Sequence, residues 1–214
     1  MVIIMRLRNL KNKEEIIKTS PYVVVEPSLN IGKWHDVFSN TNPIYIEIGM
    51  GKGKFIVENA LRFPEINFIG IEKVDNVLAR ALPTIPDNIP NLKIIRMNAL
   101  SIDDVFSKEI DRIYLNFSDP WPKVRHNERR LTSKIFLNKY NNIFKEKCEI
   151  LLRTDNEDLY IYSIESLSSD GYVLSDITFD LHRDNNDLIT TEYEDKFTAN
   201  GDKIYALKAI KAFK

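Results

Sequence analysis

Ile44-Tyr45-Ile46-Glu47-Ile48-Gly49-Met50-Gly51-Lys52-Gly53 reads as a short buried strand, a glycine-rich turn and the start of a helix running to about Arg62. Working outward, Asn67–Glu72 reads as a second strand behind Pro64, and Asp75–Leu82 as a helix, with Pro83, Pro86 and Pro90 punctuating the loop after it. Lys93–Met97 is expected as a third strand, and Ser101–Lys108 as a short helix with Ser101 as N-cap and Asp103 and Asp104 in its first turn. Arg112–Phe117 reads as the fourth strand, followed by a polar loop to about Arg130. An amphipathic helix with Ile135, Tyr140, Ile143 and Phe144 as its apolar positions comes next, then strand Glu149–Arg153 and helix Glu157–Ser168. Alternation of this kind predicts right-handed βαβ units: an α/β fold with a doubly wound, mostly parallel sheet and helices on both faces. Tyr172–His182 and Lys203–Lys211 have only a polar, acidic segment between them, which predicts an antiparallel closing pair.

Composition narrows the possibilities. A chain of 214 residues, 43% hydrophobic, can bury one core without staples, so a single domain or a domain with a small appendage is expected. Cys148 is the one cysteine, which excludes an intrachain disulfide and a cysteine-built zinc site. His35, His126 and His182 are scattered, with no metal-ligand spacing. No apolar run approaches the roughly 20 residues of a membrane span, and the apolar start breaks at Arg6 and Arg8, so a cytoplasmic protein is expected. Residues 1–43 read as an arm leading into a domain over 44–214, and a monomer and a homodimer are equally compatible with the pattern. A net charge of −1 argues against a uniformly basic coat but leaves room for a local basic patch.

The glycine turn carries chemistry. Gly49, Gly51 and Gly53 let the backbone turn sharply and approach a ligand, although a plain tight turn would need the same residues. The spacing is G-x-G-x-G, not the G-x-G-x-x-G of dinucleotide sites. Glu47 at the strand end would repel a pyrophosphate but suits an ammonium or a sulfonium. Glu72 ends the next strand where a carboxylate accepts both ribose hydroxyls, the alternative being an exposed strand-end acid. Asn98 closes the third strand, at the expected crevice where strand order reverses, and could face an adenine edge. A ligand with a ribose, an adenine, an amino acid and no phosphate fits this set: S-adenosylmethionine ahead of a nicotinamide dinucleotide.

Asn116-Phe117-Ser118-Asp119-Pro120-Trp121-Pro122-Lys123 stands at the carboxyl end of a central strand, where open α/β folds place their chemistry. Two prolines stiffen it. Asp119 projects from a rigid loop, and Trp121 offers a flat face for a base unless it is simply packed. From 123 to 134 there are five Lys/Arg and one acid, a local charge of +4 that implies a polyanionic substrate, with a solvated helix face as the alternative. His126 reads as a phosphate or base contact or a surface histidine, not as a general base.

These residues resemble the bacterial tRNA (guanine-N7-)-methyltransferases. The likeness rests on Glu47-Ile48-Gly49 with Gly51-Lys52-Gly53, on Gly70-Ile71-Glu72, and on Leu115 to Lys123 running into Arg125-His126 and Arg129-Arg130-Leu131-Thr132. It continues in Thr154-Asp155-Asn156 and in Thr191-Glu192-Tyr193-Glu194 with Lys196-Phe197, spanning about residues 44–210. The resemblance implies a class I methyltransferase fold, Rossmann-like and seven-stranded with an antiparallel last strand. It further implies methyl transfer from S-adenosylmethionine to guanine N7 at position 46 of the tRNA variable loop. By the same resemblance Glu47, Gly49, Gly51, Gly53, Glu72, Asn98 and Asp119 are cofactor-binding positions, with Asp119 also catalytic. Lys123, Asp155, Thr191, Glu192, Tyr193 and Glu194 fall on substrate-binding positions. Arg125, His126, Asn127, Glu128, Arg129 and Arg130 fall on the segment that contacts RNA. Two positions depart from the pattern: some members have Asp at Asn98, and Lys73 follows Glu72 where a neutral or apolar residue is expected. Read without the family, Asp155 could cap the helix near Glu157, and Thr191–Glu194 could be a helix start.

A methyltransferase acting on another nucleobase, a protein or a small-molecule amine would share the cofactor residues, but the +4 patch beside Trp121 favours RNA. An RNA-binding module without a cofactor would leave Glu47, Glu72 and the glycines unexplained.

Overall fold

Ile44, Ile46 and Ile48 of β1 (Ile44–Ile48) are buried on one face of the sheet, while Tyr45 packs into a second core on the other. A strand apolar on both faces belongs in the centre of a parallel sheet, and that is where β1 lies. The computed structural model describes residues 10–183 and 187–212. The strands are β1, β2 (Asn67–Glu72), β3 (Leu92–Arg96), β4 (Arg112–Asn116), β5 (Lys147–Thr154), β6 (Val173–Thr178) and β7 (Tyr205–Ala212). They form one seven-stranded sheet in the order β3-β2-β1-β4-β5-β7-β6. The pairs among β1 to β5 are parallel, and β7 runs antiparallel to both β5 and β6, as the closing pair predicts.

The helices are α1 (Lys13–Thr19), α2 (Trp34–Phe38), α3 (Lys54–Arg62), α4 (Asp75–Ala81), α5 (Lys134–Ile143), α6 (Glu157–Ser169) and α7 (Glu192–Ala199). One core gathers α1, α3 and α4 against Phe68, Leu92, Ile94 and Tyr114; the other gathers α2, α5 and α6 against the opposite face. Residues 10–43, expected as an arm, supply Ile17 and Tyr22 to the first core and Trp34 and Phe38 to the second. Val24 N–H donates to Ile94 O and Ile94 N–H to Tyr22 O, so this segment also lies along β3. The basic residues Arg6 and Arg8 and the apolar stretch before them lie outside the described residues.

Four expectations are corrected. The turn after β3 is a 3₁₀ segment, Ala99–Asp104, and Asn98 caps it by accepting from Leu100 N–H at 3.1 Å, while Ser101 sits inside it with non-helical backbone angles. On α5 the buried face is Phe136, Leu137, Tyr140 and Ile143, and Ile135 is exposed. Strand order reverses between β1 and β4, so Asn98 at the end of edge strand β3 is away from the switch point. The segment before β7 also contains α7, where a polar link without a standard helix is expected.

Candidate active site

The turn after β1 is tied to the end of β2. Gly49 and Met50 both donate to Ile71 O, at 2.8 and 3.0 Å, and Gly51 N–H donates to Glu72 Oε2 at 3.1 Å. Gly49 and Gly51 have φ of +83° and +58°, and a Cβ at either would meet nothing within 4 Å, so bare backbone borders open space. Glu72 Oε1 accepts from Val74 N–H at 2.8 Å. Two backbone donors thus aim a carboxylate that is 7% exposed. Burial nevertheless raises its pKa, against the opposing pull of those amides.

Glu47 is the most perturbed acid. It is 1% exposed, Oε1 accepts from Asn116 Nδ2 at 2.9 Å, and Oε2 is buried without a hydrogen-bond partner. Burial pushes its pKa from 4.5 to about 8, and the Arg153 guanidinium offsets only part of that. A buried carboxyl with an unused oxygen beside exposed glycine backbone is an electrostatic vacancy suited to a cationic group.

Two cavities meet along Gly49, Gly51 and Phe117. The larger, about 650 Å³, takes in Glu72, Lys73, Asn98, Asp119, Trp121 and Arg129, with Ile71, Val77, Met97 and Leu100 as apolar wall. The smaller, about 290 Å³, takes in Glu47, Gly53, Asn116, Thr191, Glu192 and Tyr193. The Asn98 amide thus shares the larger cavity even though it lies off the switch point. Exposed Ile135, displaced from the helix core, lines the same cavity.

The loop after β4 contains two non-glycine residues with left-handed backbone, Phe117 at φ +51° and Trp121 at φ +43°. Such residues cluster at functional sites. Asp119 is exposed and lies 3.8 Å from Lys73 Nζ. Arg129 lies over the Trp121 ring at 4.9 Å and His126 meets its edge, so one flat face of Trp121 is occupied by a cation. Lys123 and Arg125 are exposed at the start of the 3₁₀ segment Val124–Arg129 and lie outside both cavities, while Glu128 borders the larger one. Asn127 is half-buried with Oδ1 lacking a partner. Arg130, expected among the RNA-contacting residues, turns inward and is 6% exposed.

The late segment is both a helix start and a wall. Thr191 and Glu194 form a reciprocal capping box at the head of α7. Glu194, expected to contact substrate, is fully buried, with Arg153 at 3.2 Å and His182 Nε2 at 2.8 Å. Glu192 pairs with Lys52 of the glycine turn at 2.6 Å. Tyr193 OH donates to Asp155 Oδ2 at 3.3 Å, its ring stacked on Phe197 at 4.2 Å and 5.1 Å from Phe117. The cap of α6 is Asn156, whose side chain accepts from Leu159 N–H at 2.8 Å. The capping alternative for Asp155 therefore falls away.

Asn116, Arg153 and Phe117 are site residues to which the sequence reading gave no role. Asn116 could have been found from β1–β4 adjacency, because it ends the strand beside Glu47; Arg153 carries no local signal. Among the described residues no group of His, Cys, Asp or Glu could hold a metal, and no helix is long and apolar enough to cross a membrane.

Comparison with known proteins places this arrangement. A family described as "Putative methyltransferase" matches residues 41–207. A tRNA (guanine-N(7)-)-methyltransferase of Lachnoclostridium phytofermentans is 48% identical, over 97% of this chain and 99% of its own. The chain belongs to the tRNA (guanine-N(7)-)-methyltransferase family. A member from Geobacillus thermodenitrificans is 47% identical over 97% of this chain and 98% of its own. Among solved structures, a 16S rRNA (adenine(1408)-N(1))-methyltransferase from Catenulisporales acidiphilia superposes with a TM-score of 0.63 at 14% identity, covering 89% of this chain and 95% of that one. An antibiotic-related methyltransferase gives 0.61 at 17% identity, covering 85% and 94%. At such identities the likeness concerns the fold, which is that of the class I methyltransferases.

Proposed function

We propose that this chain transfers a methyl group from S-adenosylmethionine to N7 of guanine in tRNA, at position 46 of the variable loop. The observation that carries the reading is the convergence of Glu72, Asn98 and Asp119 on one cavity that opens beside the basic 123–134 segment. The residues present fit the cofactor. Glu72, oriented by two amides, keeps lone pairs for a ribose diol; the apolar wall and Asn98 suit an adenine; the orphaned Glu47 Oε2 suits a cationic amino acid. Two buried acids beside the glycine turn would repel a pyrophosphate. Residues 44–214 would carry the transferase and residues 1–43 an extension of it, with the cytoplasm as the expected compartment.

S-adenosylmethionine, when bound, supplies an electrophilic methyl on a sulfonium. Guanine N7 has an in-plane lone pair and no proton, so the protein needs no general base there. Its task is to hold the base in line and to stabilise the positive charge the purine gains. Carboxylates of Asp119 and Asp155 can accept hydrogen bonds from guanine N1–H and N2–H₂, bonds that strengthen as those protons become more acidic. Phe117 and Tyr193 provide aromatic surface between the two cavities, while Lys123, Arg125 and Arg129 supply cations for the RNA backbone.

Methyl transfer from labelled S-adenosylmethionine to unmodified tRNA transcripts, with the product base mapped, tests the assignment. N7-methylguanine confined to the variable loop is the expected product. Label at another base or another guanine would discard the substrate assignment, and binding of the cofactor without transfer would point to a different acceptor.

A further inference from the structure

Arg130 differs from every other cation of the basic segment. Lys123, Arg125, Arg129 and Lys134 are exposed, whereas Arg130 is 6% exposed. Its Nε donates to Pro120 O at 2.9 Å and one terminal nitrogen donates to Trp121 O at 3.2 Å. These carbonyls belong to the two peptide units that bound Trp121, the residue with left-handed backbone at φ +43°. Among the described residues, no other hydrogen bond reaches the backbone of 118–122, and Pro120 and Pro122 have no N–H to offer. The guanidinium carbon lies over the Tyr162 ring of α6 at 4.3 Å. The chain just beyond is also fastened: Tyr140 OH donates to Leu131 O, and Ser166 Oγ donates to Thr132 O.

We propose that Arg130 is a positioning residue for the methyl-transfer loop, acting through the Pro120 and Trp121 carbonyls with Tyr162 as its platform, and not a phosphate contact. The inference rests on the reading that Asp119 acts from that loop. A left-handed non-glycine residue persists only where its surroundings over-determine it, and the planar two-pronged donor is the restraint seen here. A lysine cannot replace it, because a point charge on a flexible stem cannot hold two carbonyls in a fixed plane.

The test compares Arg130→Lys and Tyr162→Leu with Arg129→Gln, each assayed for kcat, for KM toward tRNA and for the salt dependence of that KM. A misplaced Asp119 should lower kcat by about tenfold to a hundredfold in Arg130→Lys, with KM and the salt slope near wild type. Tyr162→Leu should follow in the same direction while keeping the arginine charge. Arg129→Gln should instead raise KM and flatten the salt slope. Trp121 emission, isolated in a Trp34→Phe background, should become more accessible to acrylamide in Arg130→Lys. Wild-type kcat with a raised KM and a shallower slope in Arg130→Lys would overturn the proposal in favour of a phosphate contact. Activity lost only in proportion to the unfolded fraction, with Trp121 quenching unchanged, would overturn it in favour of a purely structural role. Failure of the underlying function is separable, since the wild-type protein itself would then not methylate tRNA.

Discussion

Lys73 Nζ lies 3.8 Å from Asp119 Oδ2, linking the end of β2 to the loop after β4 across the intervening β1. This gives the unexpected lysine after Glu72 a partner. Both side chains are exposed, so the pair is weak and easily broken when a substrate competes for the carboxylate. Lys73→Ala should leave the melting temperature within about 2 °C and change kcat less than about threefold. Asp119→Ala should lower kcat by about a hundredfold or more at saturating tRNA, the scale of losing an aimed charge-stabilising group. Near-normal turnover by Asp119→Ala would remove it from the chemistry.

Glu47 makes stability depend on pH. Its pKa is 4.5 ordinarily and about 8 in the folded protein. Between those values the unfolded chain has released the proton that the folded chain keeps. Folding therefore takes up a proton, and this residue's contribution to stability falls as pH rises from about 4.5 to about 8. Glu47→Gln should accordingly gain stability relative to the ligand-free wild type as pH rises from 5 to 8, by ~1 kcal/mol or more at the alkaline end. Thermal unfolding of both proteins across that range checks the sign. Calorimetry of S-adenosylhomocysteine, which keeps the ammonium, should show proton release on binding to wild type and less to the variant.

Glu72 should be indispensable for the ribose. At a concentration about 100 times its Kd, S-adenosylhomocysteine should stabilise the wild type by about 2.7 kcal/mol. Glu72→Ala should lose most of that shift at the same concentration. An undiminished shift would place the ribose elsewhere.

Asp155 and Asn156 are adjacent but do different work. Asn156→Ala should cost about 1 kcal/mol of stability and lower the melting temperature by about 2–4 °C, because it removes the cap of α6. Asp155→Asn keeps the acceptor for Tyr193 and should barely move the melting temperature, yet lower turnover on tRNA. The reverse pattern would restore Asp155 as a structural cap.

Much of this architecture can be read from the chain. The bounds of β1 and β2 agree with the sequence reading because each is a short, mostly apolar run, one stopped by glycines and the other preceded by Pro64. Glu47 and Glu72 are legible against those runs, one as the lone acid inside β1 and the other as the acid that ends β2. Strand order is not written locally, which is why Asn98 was expected at the reversal of strand order, whereas it reaches the cavity from the end of edge strand β3. Nor does a run of cations reveal which member turns inward: Arg129 and Arg130 are neighbours, yet one lies over Trp121 and the other beneath its backbone. Glu194 is a similar case, since a capping box satisfies the same pattern that suggests a substrate acid.

The position of β7 has a consequence for how the protein is made. The strand translated last of the seven is an interior one, hydrogen-bonded to β5 on one side and to β6 on the other. While the chain is still emerging from the ribosome, β6 has no neighbour in the sheet and waits for it. The Tyr160 hydroxyl of α6, which donates to Ala206 O at 2.8 Å, also lacks its acceptor until then. The sheet therefore closes by insertion rather than by growth at an edge, and its β7–β6 end forms only once β7 itself has been made.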